Sequence, residues 1–306
     1  MKKLTVLGSV NADHVISVPH FVQPGETLTG SNYHIAYGGK GANQAVAAAR
    51  LGANIDFIAC IGSDDIGKAM KTAFAQDGID TQAVIEVPEQ MTGIAMIQVT
   101  TQGENSIVIS AGANADLTED IVRKFADKIT QSDALLMQLE TPLSAVILAA
   151  KLAKSAHTQV VLNPAPAQAL PDELLTLVDM ITPNETETEM LTGVKVVDEH
   201  SAAQAAALFH QKGIETVLIT LGSKGVYVSQ QGKPGKIVAG FRVPAKDTTA
   251  AGDTFNGALM TALLEDKSLE EAIRFAHAAA AISVTREGAQ PSIPTRQETL
   301  NFLQSH

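Results

Sequence analysis

The densest group of residues with possible chemistry lies between positions 247 and 257 and reads Asp-Thr-Thr-Ala-Ala-Gly-Asp-Thr-Phe-Asn-Gly. The pattern predicts a strand ending near Val243, a turn of small residues and an apolar helix beginning near Ala251. Small residues let a backbone approach a ligand closely, and the first N–H groups of a helix can bind an anion. Asp253 falls in that first turn. It could simply cap the helix or complement its dipole, but a second acid, Asp247, favours a functional site.

A glycine-rich segment precedes another predicted helix and reads Gly38-Gly39-Lys40-Gly41-Ala42-Asn43-Gln44-Ala45. Three glycines around a lysine can form a loop that encloses a polyhydroxylated or anionic ligand. Glycine loops before helices are common, so this segment alone is a weak signal.

Polar residues also follow two of the predicted buried strands. Asn11 and Asp13 come after the strand from Leu4 to Val10, and Glu140 comes directly after the strand 134–139. In parallel α/β sheets, ligands bind beyond the carboxyl ends of the strands. A carboxylate there can accept hydrogen bonds from two adjacent hydroxyls, which gives stereochemical selectivity. Each of these residues could also be an ordinary turn or cap residue.

The two long segments together resemble the ribokinase/PfkB family of carbohydrate and nucleoside kinases. The first signature of the family is Asp-Thr-x-Gly-Ala-Gly-Asp, and this chain has Ala250 where most members have glycine. The resemblance implies ATP-dependent phosphorylation of D-ribose at its 5-hydroxyl, with a fructokinase or a nucleoside kinase as the alternative. It also implies that Asp253 is the catalytic base. The N–H groups of Ala251, Gly252 and Asp253 would then form the anion hole.

The same resemblance assigns three further sets of residues. Sugar recognition would involve Asn11, Asp13, Gly39, Lys40, Gly41, Asn43 and Glu140, together with Asp253. Nucleotide binding would involve Asn184, Glu187, Thr220, Gly222, Ser223, Gly225, Gly252 and His277, with Asn184 and Glu187 organising Mg²⁺ through water. A potassium site would involve Asp247, Thr249, Ser283, Arg286, Gly288 and Ser292, mostly through backbone carbonyls. From the residues alone, Asn184 and Glu187 equally suit a solvated helix start, and His277 suits a packed position on an Ala-rich helix.

Short β-rich runs alternate with Ala-rich helical stretches along the chain, which predicts a parallel α/β sheet. Two insertions, about 12–36 and 90–111, break this rhythm, because each predicts a hairpin without a crossover helix. Together with this pattern, the family resemblance implies one kinase domain over residues 1–306. Its fold would be a ribokinase-like three-layer α/β/α core, Rossmann-like, with a small β-sheet lid built from the two insertions. The resemblance also implies a homodimer in which the lids of two subunits clasp each other.

Composition narrows the classes of partner. The chain of 306 residues carries 22 Lys and Arg against 33 Asp and Glu, a formal net charge of −11, which argues against a nucleic-acid binder. The single cysteine, Cys60, permits no internal disulfide, and no apolar run reaches membrane-spanning length. We expect a cytoplasmic protein.

The sequence disfavours two other kinds of site and leaves one other function open. The segment 62–69 nearly spells a P-loop, but it ends in Ala69, which has no hydroxyl for Mg²⁺. Neither glycine loop spells the dinucleotide fingerprint, so a dehydrogenase is disfavoured. A non-catalytic sugar or nucleotide sensor on the same scaffold stays open.

Overall fold

The first strand, Lys3–Leu7, divides its side chains between two apolar layers. Leu4 and Val6 pack into one buried cluster and Leu7 packs into another, because successive side chains of a strand point to opposite faces. The computed structural model describes residues 2–306. Both layers continue along the whole sheet to which this strand belongs.

Strands and helices alternate through most of the described residues. The strands are β1 Lys3–Leu7, β2 Asn11–Val18, β3 Ser31–Gly38, β4 Asn54–Gly62, β5 Val84–Val87, β6 Gly93–Thr100, β7 Asn105–Ser110, β8 Ala134–Met137, β9 Gln159–Leu162, β10 Met180–Ile181, β11 Thr216–Thr220, β12 Val226–Gln230 and β13 Lys236–Val238. The helices are α1 Lys40–Arg50, α2 Asp65–Gln76, α3 Glu119–Lys124, α4 Ala126–Thr130, α5 Leu143–Ser155, α6 Asp172–Leu175, α7 Glu185–Thr192, α8 Glu199–Gln211, α9 Ala251–Leu264, α10 Leu269–Ser283 and α11 Arg296–Ser305.

The main sheet has nine strands in the order β13-β12-β11-β10-β9-β8-β1-β4-β5. The pairs from β11 to β5 are parallel, whereas β12 is antiparallel to both β11 and β13. Helices α1, α2, α9 and α10 cover one face, and α3 to α8 cover the other. The predicted three-layer α/β architecture is therefore confirmed. No helix in residues 2–306 is both long and apolar enough to cross a membrane.

A second, four-stranded sheet, which we call the small sheet, has the order β3-β2-β6-β7. The two predicted hairpins meet in it, because β2 pairs parallel with β6. Asp13 lies opposite Ala36 and Ala95, so these residues share one face. The next residue, His14, lies opposite Ile35 and Met96 on the other face.

Some predicted boundaries are wrong. The first strand ends at Leu7 rather than Val10, and the strand before Glu140 ends at Met137. Helix α1 begins at Lys40, so the lysine expected in a loop lies in the first helical turn. The strand expected to end near Val243 ends five residues earlier, at Val238, and residues 239–247 form no helix or strand. At the end of this segment the N–H groups of Lys246 and Asp247 donate to the carbonyl of Val284, next to the end of α10, rather than to a neighbouring strand.

Candidate active site

The carboxylate of Asp253 lies where the first turns of α1 and α9 meet. Its Oδ2 accepts a hydrogen bond from Asn43 Nδ2 at 3.0 Å, and its Oδ1 accepts one from Gln44 Nε2 at 2.9 Å. Asp253 is only 8% exposed. The structure thus brings the two segments that carry the family signatures into direct contact, although they are separated by about two hundred residues of chain.

The backbone before Asp253 is shaped for an anion. Ala250 caps α9 in the left-handed conformation, with φ of 57°, and Gly252 is exposed with open space around its Cα. Within residues 2–306, the N–H groups of Gly252 and Asp253 have no hydrogen-bond acceptor outside the helix. The N–H of Ala251, by contrast, donates to the Thr248 carbonyl at 3.2 Å. The anion hole expected from three N–H groups therefore has two free donors in this structure.

Asp13 and Glu140 lie near Asp253 and place several carboxylates around one lysine. Glu140 Oε2 accepts hydrogen bonds from Ser9 Oγ at 2.5 Å and from the Lys40 backbone N–H at 3.1 Å. Burial raises the pKa of Asp13 to about 7, and the negative charges of Glu140 and Asp253 add to that shift. The Lys40 ammonium opposes it.

Lys40 is the cation of this cluster. Burial alone would lower the pKa of Lys40, but it lies above its ordinary value because four nearby carboxylates favour the charged form, those of Asp253, Glu140, Glu187 and Asp13. Lys40 is therefore close enough to interact with the candidate sugar acids and also with Glu187 of the candidate nucleotide site. The charge of Lys40 therefore acts on both the candidate sugar site and the candidate nucleotide site.

Asn11 is held at the base of the small sheet. Its Oδ1 accepts a hydrogen bond from Asn114 Nδ2 at 2.8 Å, and Asn114 also bonds both the N–H and the carbonyl of Val10. Gly39 lies beside this junction with φ of 89°, and an added Cβ would lie 2.7 Å from the Asn11 nitrogen. Only glycine fits that position, which lets the backbone of α1 approach the Asn11 strand. The next glycine, Gly41, packs just as closely against the backbone of Gly8 and Ser9.

The candidate nucleotide segments lie side by side. Asn184 and Glu187 form a capping box at the start of α7, in which Glu187 accepts hydrogen bonds from the N–H and the side-chain amide of Asn184. Thr220 pairs with Asn184, and its N–H donates to the carbonyl of Pro183 at 2.9 Å. Burial raises the pKa of Glu187, although the Asn184 hydrogen bond and the charge of Lys40 oppose the shift. The pair does begin a helix, as the residues alone allow, but the expectation of a solvated first turn is wrong for Glu187, which is buried. Its buried carboxylate lies close enough to Lys40 to interact with its charge.

The turn after Thr220 continues this surface. Gly222 and Ser223 form a short 3-10 turn, and Gly225 follows it with φ of 106°. A Cβ on Gly225 would lie 2.1 Å from the Val238 carbonyl, so the turn packs tightly on the segment after β13. His277 lies by Ala239 and packs on Phe255, with ring centroids 5.3 Å apart, and burial lowers its pKa to about 4. His277 is therefore a packed, neutral side chain next to this surface.

The residues assigned to the potassium site are brought together only in part. Asp247 Oδ1 accepts hydrogen bonds from the N–H and hydroxyl of Thr249, and its Oδ2 accepts one from the Gly288 N–H at 2.8 Å. Burial would raise the pKa of Asp247, but these three hydrogen bonds outweigh it and hold the pKa below its ordinary value.

The other side chains of that set point to their own partners. Ser283 and Ser292 donate to carbonyls within their own turns, and Arg286 pairs with Glu298. Any cation here would be held by backbone carbonyls, as the resemblance implies. Across residues 2–306, no cluster of three or more His, Cys, Asp or Glu side chains could hold a metal ion.

A buried network of side chains next to Asp253 lies outside the residues that the motifs indicate. Its members are Gln44, Gln138, Asn163, Thr182 and Asn256. Two further buried side chains that the motifs do not indicate are Ser9, which donates to Glu140, and Asn114, which donates to Asn11. A signal was available for three of them, because Gln138, Asn163 and Thr182 directly follow strands β8, β9 and β10 at the edge where ligands bind.

Comparison with known proteins identifies close relatives. The family described as pfkB family carbohydrate kinase matches residues 1–296. The chain is 69% identical over 303 residues to a Haemophilus influenzae ribokinase, covering 99% of both chains. It also resembles the crystal structure of ribokinase from Thermotoga maritima, with a TM-score of 0.91 at 41% identity, covering 99% of this chain and 100% of that one. The structure of Arabidopsis thaliana ribokinase complexed with ribose and ATP gives a TM-score of 0.92 at 36% identity, covering 99% of each chain.

Proposed function

The chain belongs to the pfkB family of carbohydrate kinases, and from this premise we propose that it transfers the γ-phosphoryl group of ATP to the 5-hydroxyl of D-ribose. The observation that carries the proposal is the position of Asp253, whose carboxylate lies beside two free N–H groups and is held by the glycine-rich segment. The identity to the Haemophilus influenzae enzyme and the ribose and ATP in the Arabidopsis thaliana structure support ribose and ATP as the substrates.

Asp253 acts as the base in the transfer. As the 5-oxygen of ribose attacks the γ-phosphorus, the bond from that phosphorus to the bridging oxygen breaks and ADP leaves. The proton of the hydroxyl passes to the Asp253 carboxylate. Phosphoryl transfer depends mainly on positioning and on stabilisation of charge. The N–H groups of Gly252 and Asp253, with Lys40 nearby, supply positive potential against the overall negative charge of the chain.

Recognition of the sugar falls to buried acceptors that have no protein donor. Within residues 2–306, Asn43 Oδ1 is buried without a hydrogen-bond partner, and the carboxylate of Asp13 accepts no hydrogen bond. Leaving such acceptors unpaired is costly, whereas the hydroxyls of a sugar would pair them. Glu140, Asn11, Gly39 and Gly41 complete the proposed surface.

The nucleotide lies, in this proposal, over the Asn184–Thr220 pair and the turn at Gly222, Ser223 and Gly225, with His277 beside the base. Glu187 fits a role toward Mg²⁺ through water, because both of its oxygens already accept hydrogen bonds from Asn184 and Mg²⁺ keeps several waters. When bound, Mg²⁺ would neutralise charge on the phosphates. The whole chain, 1–306, would form one kinase domain. We also propose that it acts in the cytoplasm, where ATP is available.

A potassium ion would bind between the Asp247 loop and the chain after α10. The hydrogen bond from the Gly288 N–H to Asp247 brings these segments together. We assign the ligands to backbone carbonyls at Thr249, Ser283, Arg286 and Ser292, because the side chains of Ser283, Arg286 and Ser292 are engaged elsewhere. A cation there would order the loop that carries the two free N–H groups.

The small sheet is proposed as a lid and as the interface of a homodimer. On its outer face, Met96 is 56% exposed and Val108 is 69% exposed, and on the other face Ile107 and Ile109 are also exposed. A thin sheet with apolar side chains on both faces and two open edges requires a cover. The bound sugar would cover part of the Asp13 face, and a second copy of the chain would cover the rest.

A coupled assay of ADP formation tests the proposed function. Purified protein is supplied with Mg-ATP and a panel of ribose, fructose and nucleosides, with and without potassium. We expect ribose to give the highest kcat/KM and potassium to raise the rate. A preference for fructose or a nucleoside would show that ribose is not the substrate. Binding of ribose without turnover would favour a non-catalytic sensor.

A further inference from the structure

Gln44 is the most fully engaged side chain in the buried network around Asp253. Its Nε2 donates to Asp253 Oδ1 at 2.9 Å and to Asn163 Oδ1 at 3.0 Å, and its Oε1 accepts from Gln138 Nε2 at 2.6 Å. A glutamine amide has two N–H donors and one carbonyl acceptor. All three groups are used, so rotation or flipping of this amide would break three hydrogen bonds at once.

The partners of Gln44 lie at the edge of the main sheet, and Asn163 is the more firmly held of the two, because Gln138 Oε1 is buried without a hydrogen-bond partner within residues 2–306. Asn163 donates its Nδ2 to the carbonyl of Thr182 at 2.9 Å, which determines that its Oδ1 faces Gln44. Gln138 directly follows β8 and Asn163 directly follows β9, so both are held by the main sheet. Gln44 and Gln138 are 0% and 1% exposed. The network is therefore a buried frame that connects the sheet to one oxygen of the Asp253 carboxylate.

Asn43 bonds the other oxygen, but in a different way. Its Nδ2 donates to Asp253 Oδ2 at 3.0 Å, whereas its own Oδ1 is buried with no partner in residues 2–306. Asn43 is therefore free to rearrange when a hydroxyl arrives, whereas Gln44 is not. The two oxygens of Asp253 thus differ in how firmly they are held.

We propose that Gln44 is a positioning residue that fixes Oδ1 of Asp253 and reserves Oδ2 as the atom that takes the proton from the substrate hydroxyl. This inference rests on the proposed function, because it assigns Asp253 as the base. No electron or additional reactant is involved, since Gln44 acts only through the orientation of the carboxylate.

The test is the variant Gln44→Met, which keeps the length of the side chain and removes the amide. Because a misplacement of about 1 Å can cost roughly 100-fold, we expect kcat to fall about 10- to 100-fold. The dissociation constants of ribose and ATP, measured by calorimetry, should change by less than about threefold, since the Gln44 side chain is fully buried behind Asp253. A crystal structure of the variant should show the Asp253 carboxylate rotated.

Two further variants keep the test decisive. Val46→Ala lies on the same helix, is fully buried and is outside the network, so it should lower stability and leave kcat unchanged. Gln138→Met frees Gln44 Oε1 without touching Asp253, and it should lower kcat by a smaller factor. If Gln44→Met does not fold, this second variant carries the test.

Failure of the proposed function and failure of the positioning role give different results. A wild-type protein that does not phosphorylate any sugar refutes the proposed function, whatever the variants do. With wild-type activity present, the positioning role is overturned if Gln44→Met keeps the wild-type kcat, if Val46→Ala loses as much kcat, or if the carboxylate of Asp253 has the same orientation in both crystal structures.

Discussion

Replacement of Asp13 by asparagine should make the protein more stable and less able to bind ribose. Asp13 is 8% exposed, and burial together with the charges of Glu140 and Asp253 raises its pKa from 3.8 to about 7. A raised pKa in an acid means that the fold disfavours the charged form. Asp13→Asn removes the charge and keeps the size of the side chain.

The sign and size of the effect follow from proton linkage. Below pH 3.8 the Asp13 carboxyl is protonated in both the folded and the unfolded state, so its ionisation does not change the free energy of unfolding. Between pH 3.8 and about 7 the unfolded chain has lost the proton and the folded chain retains it, so stability falls as pH rises. Above pH 7 the full penalty is present. With 1.36 kcal/mol for each pKa unit, the penalty is about 1 kcal/mol at pH 4.5 and at most about 4 kcal/mol at pH 8.

Urea unfolding of the wild type and of Asp13→Asn at pH 4.5 and pH 8 measures this penalty. The advantage of the variant in unfolding free energy should grow by about 3 kcal/mol between the two pH values. Asp127→Asn, on an exposed position of α4, should give a difference within about 0.5 kcal/mol at both. In the ribose assay, Asp13→Asn should raise KM roughly 10- to 100-fold, since hydrogen bonds to a charged group contribute about 1.5–3 kcal/mol. A stability difference that does not depend on pH would refute the reasoning.

Three other changes have defined outcomes. Ala250→Gly relieves the left-handed backbone at φ of 57° and should raise the free energy of unfolding in urea by about 0.5–1 kcal/mol. The control Ala280→Gly, inside α10, should lower it by about 1 kcal/mol. If both variants lower the free energy of unfolding, Ala250 is not strained. Asn114→Ala removes the hydrogen bonds to Val10 and Asn11, so the KM for ribose should rise about tenfold with kcat retained, and an unchanged KM would disconnect Asn114 from the sugar site. Val108→Lys, on the exposed face of the small sheet, should shift the mass measured by light scattering from dimer to monomer. The control Lys151→Glu, at an exposed position of α5, should leave the mass unchanged. A wild-type protein that is already monomeric excludes the proposed interface.

Local signals predicted the elements that depend on local sequence. The spans Leu143–Ser155 and Ala251–Leu264 are long apolar runs with clear ends, so their sequence alone predicts helices, and both are helices in the structure. The two insertions were predicted to pair as one sheet, and β2 and β6 do so. The early end of β13 at Val238 shows the limit, because the segment that follows it ends with Lys246 and Asp247 bonded to the Val284 carbonyl, a contact some forty residues away in sequence.

The site could be predicted only where residue type and spacing carry the chemistry. Asp253 and Asn43 were named from their motifs, and the structure brings them into contact. The frame behind them was not foreseen, because Gln44, Gln138 and Asn163 come from three separate elements and each resembles an ordinary polar residue in sequence. The candidate anion hole has two free N–H groups rather than three because the Thr248 carbonyl accepts the N–H of Ala251. Only the folded turn determines the position of that carbonyl.

The most direct test of the account is the turnover of Asp253→Asn, measured with ribose and Mg-ATP together with calorimetric binding of each ligand. The account predicts that kcat falls about 10²- to 10⁴-fold, as expected for loss of a general base, while both dissociation constants stay within about threefold of the wild type. A variant that retains more than about a tenth of the wild-type kcat would contradict the assignment of Asp253 as the base.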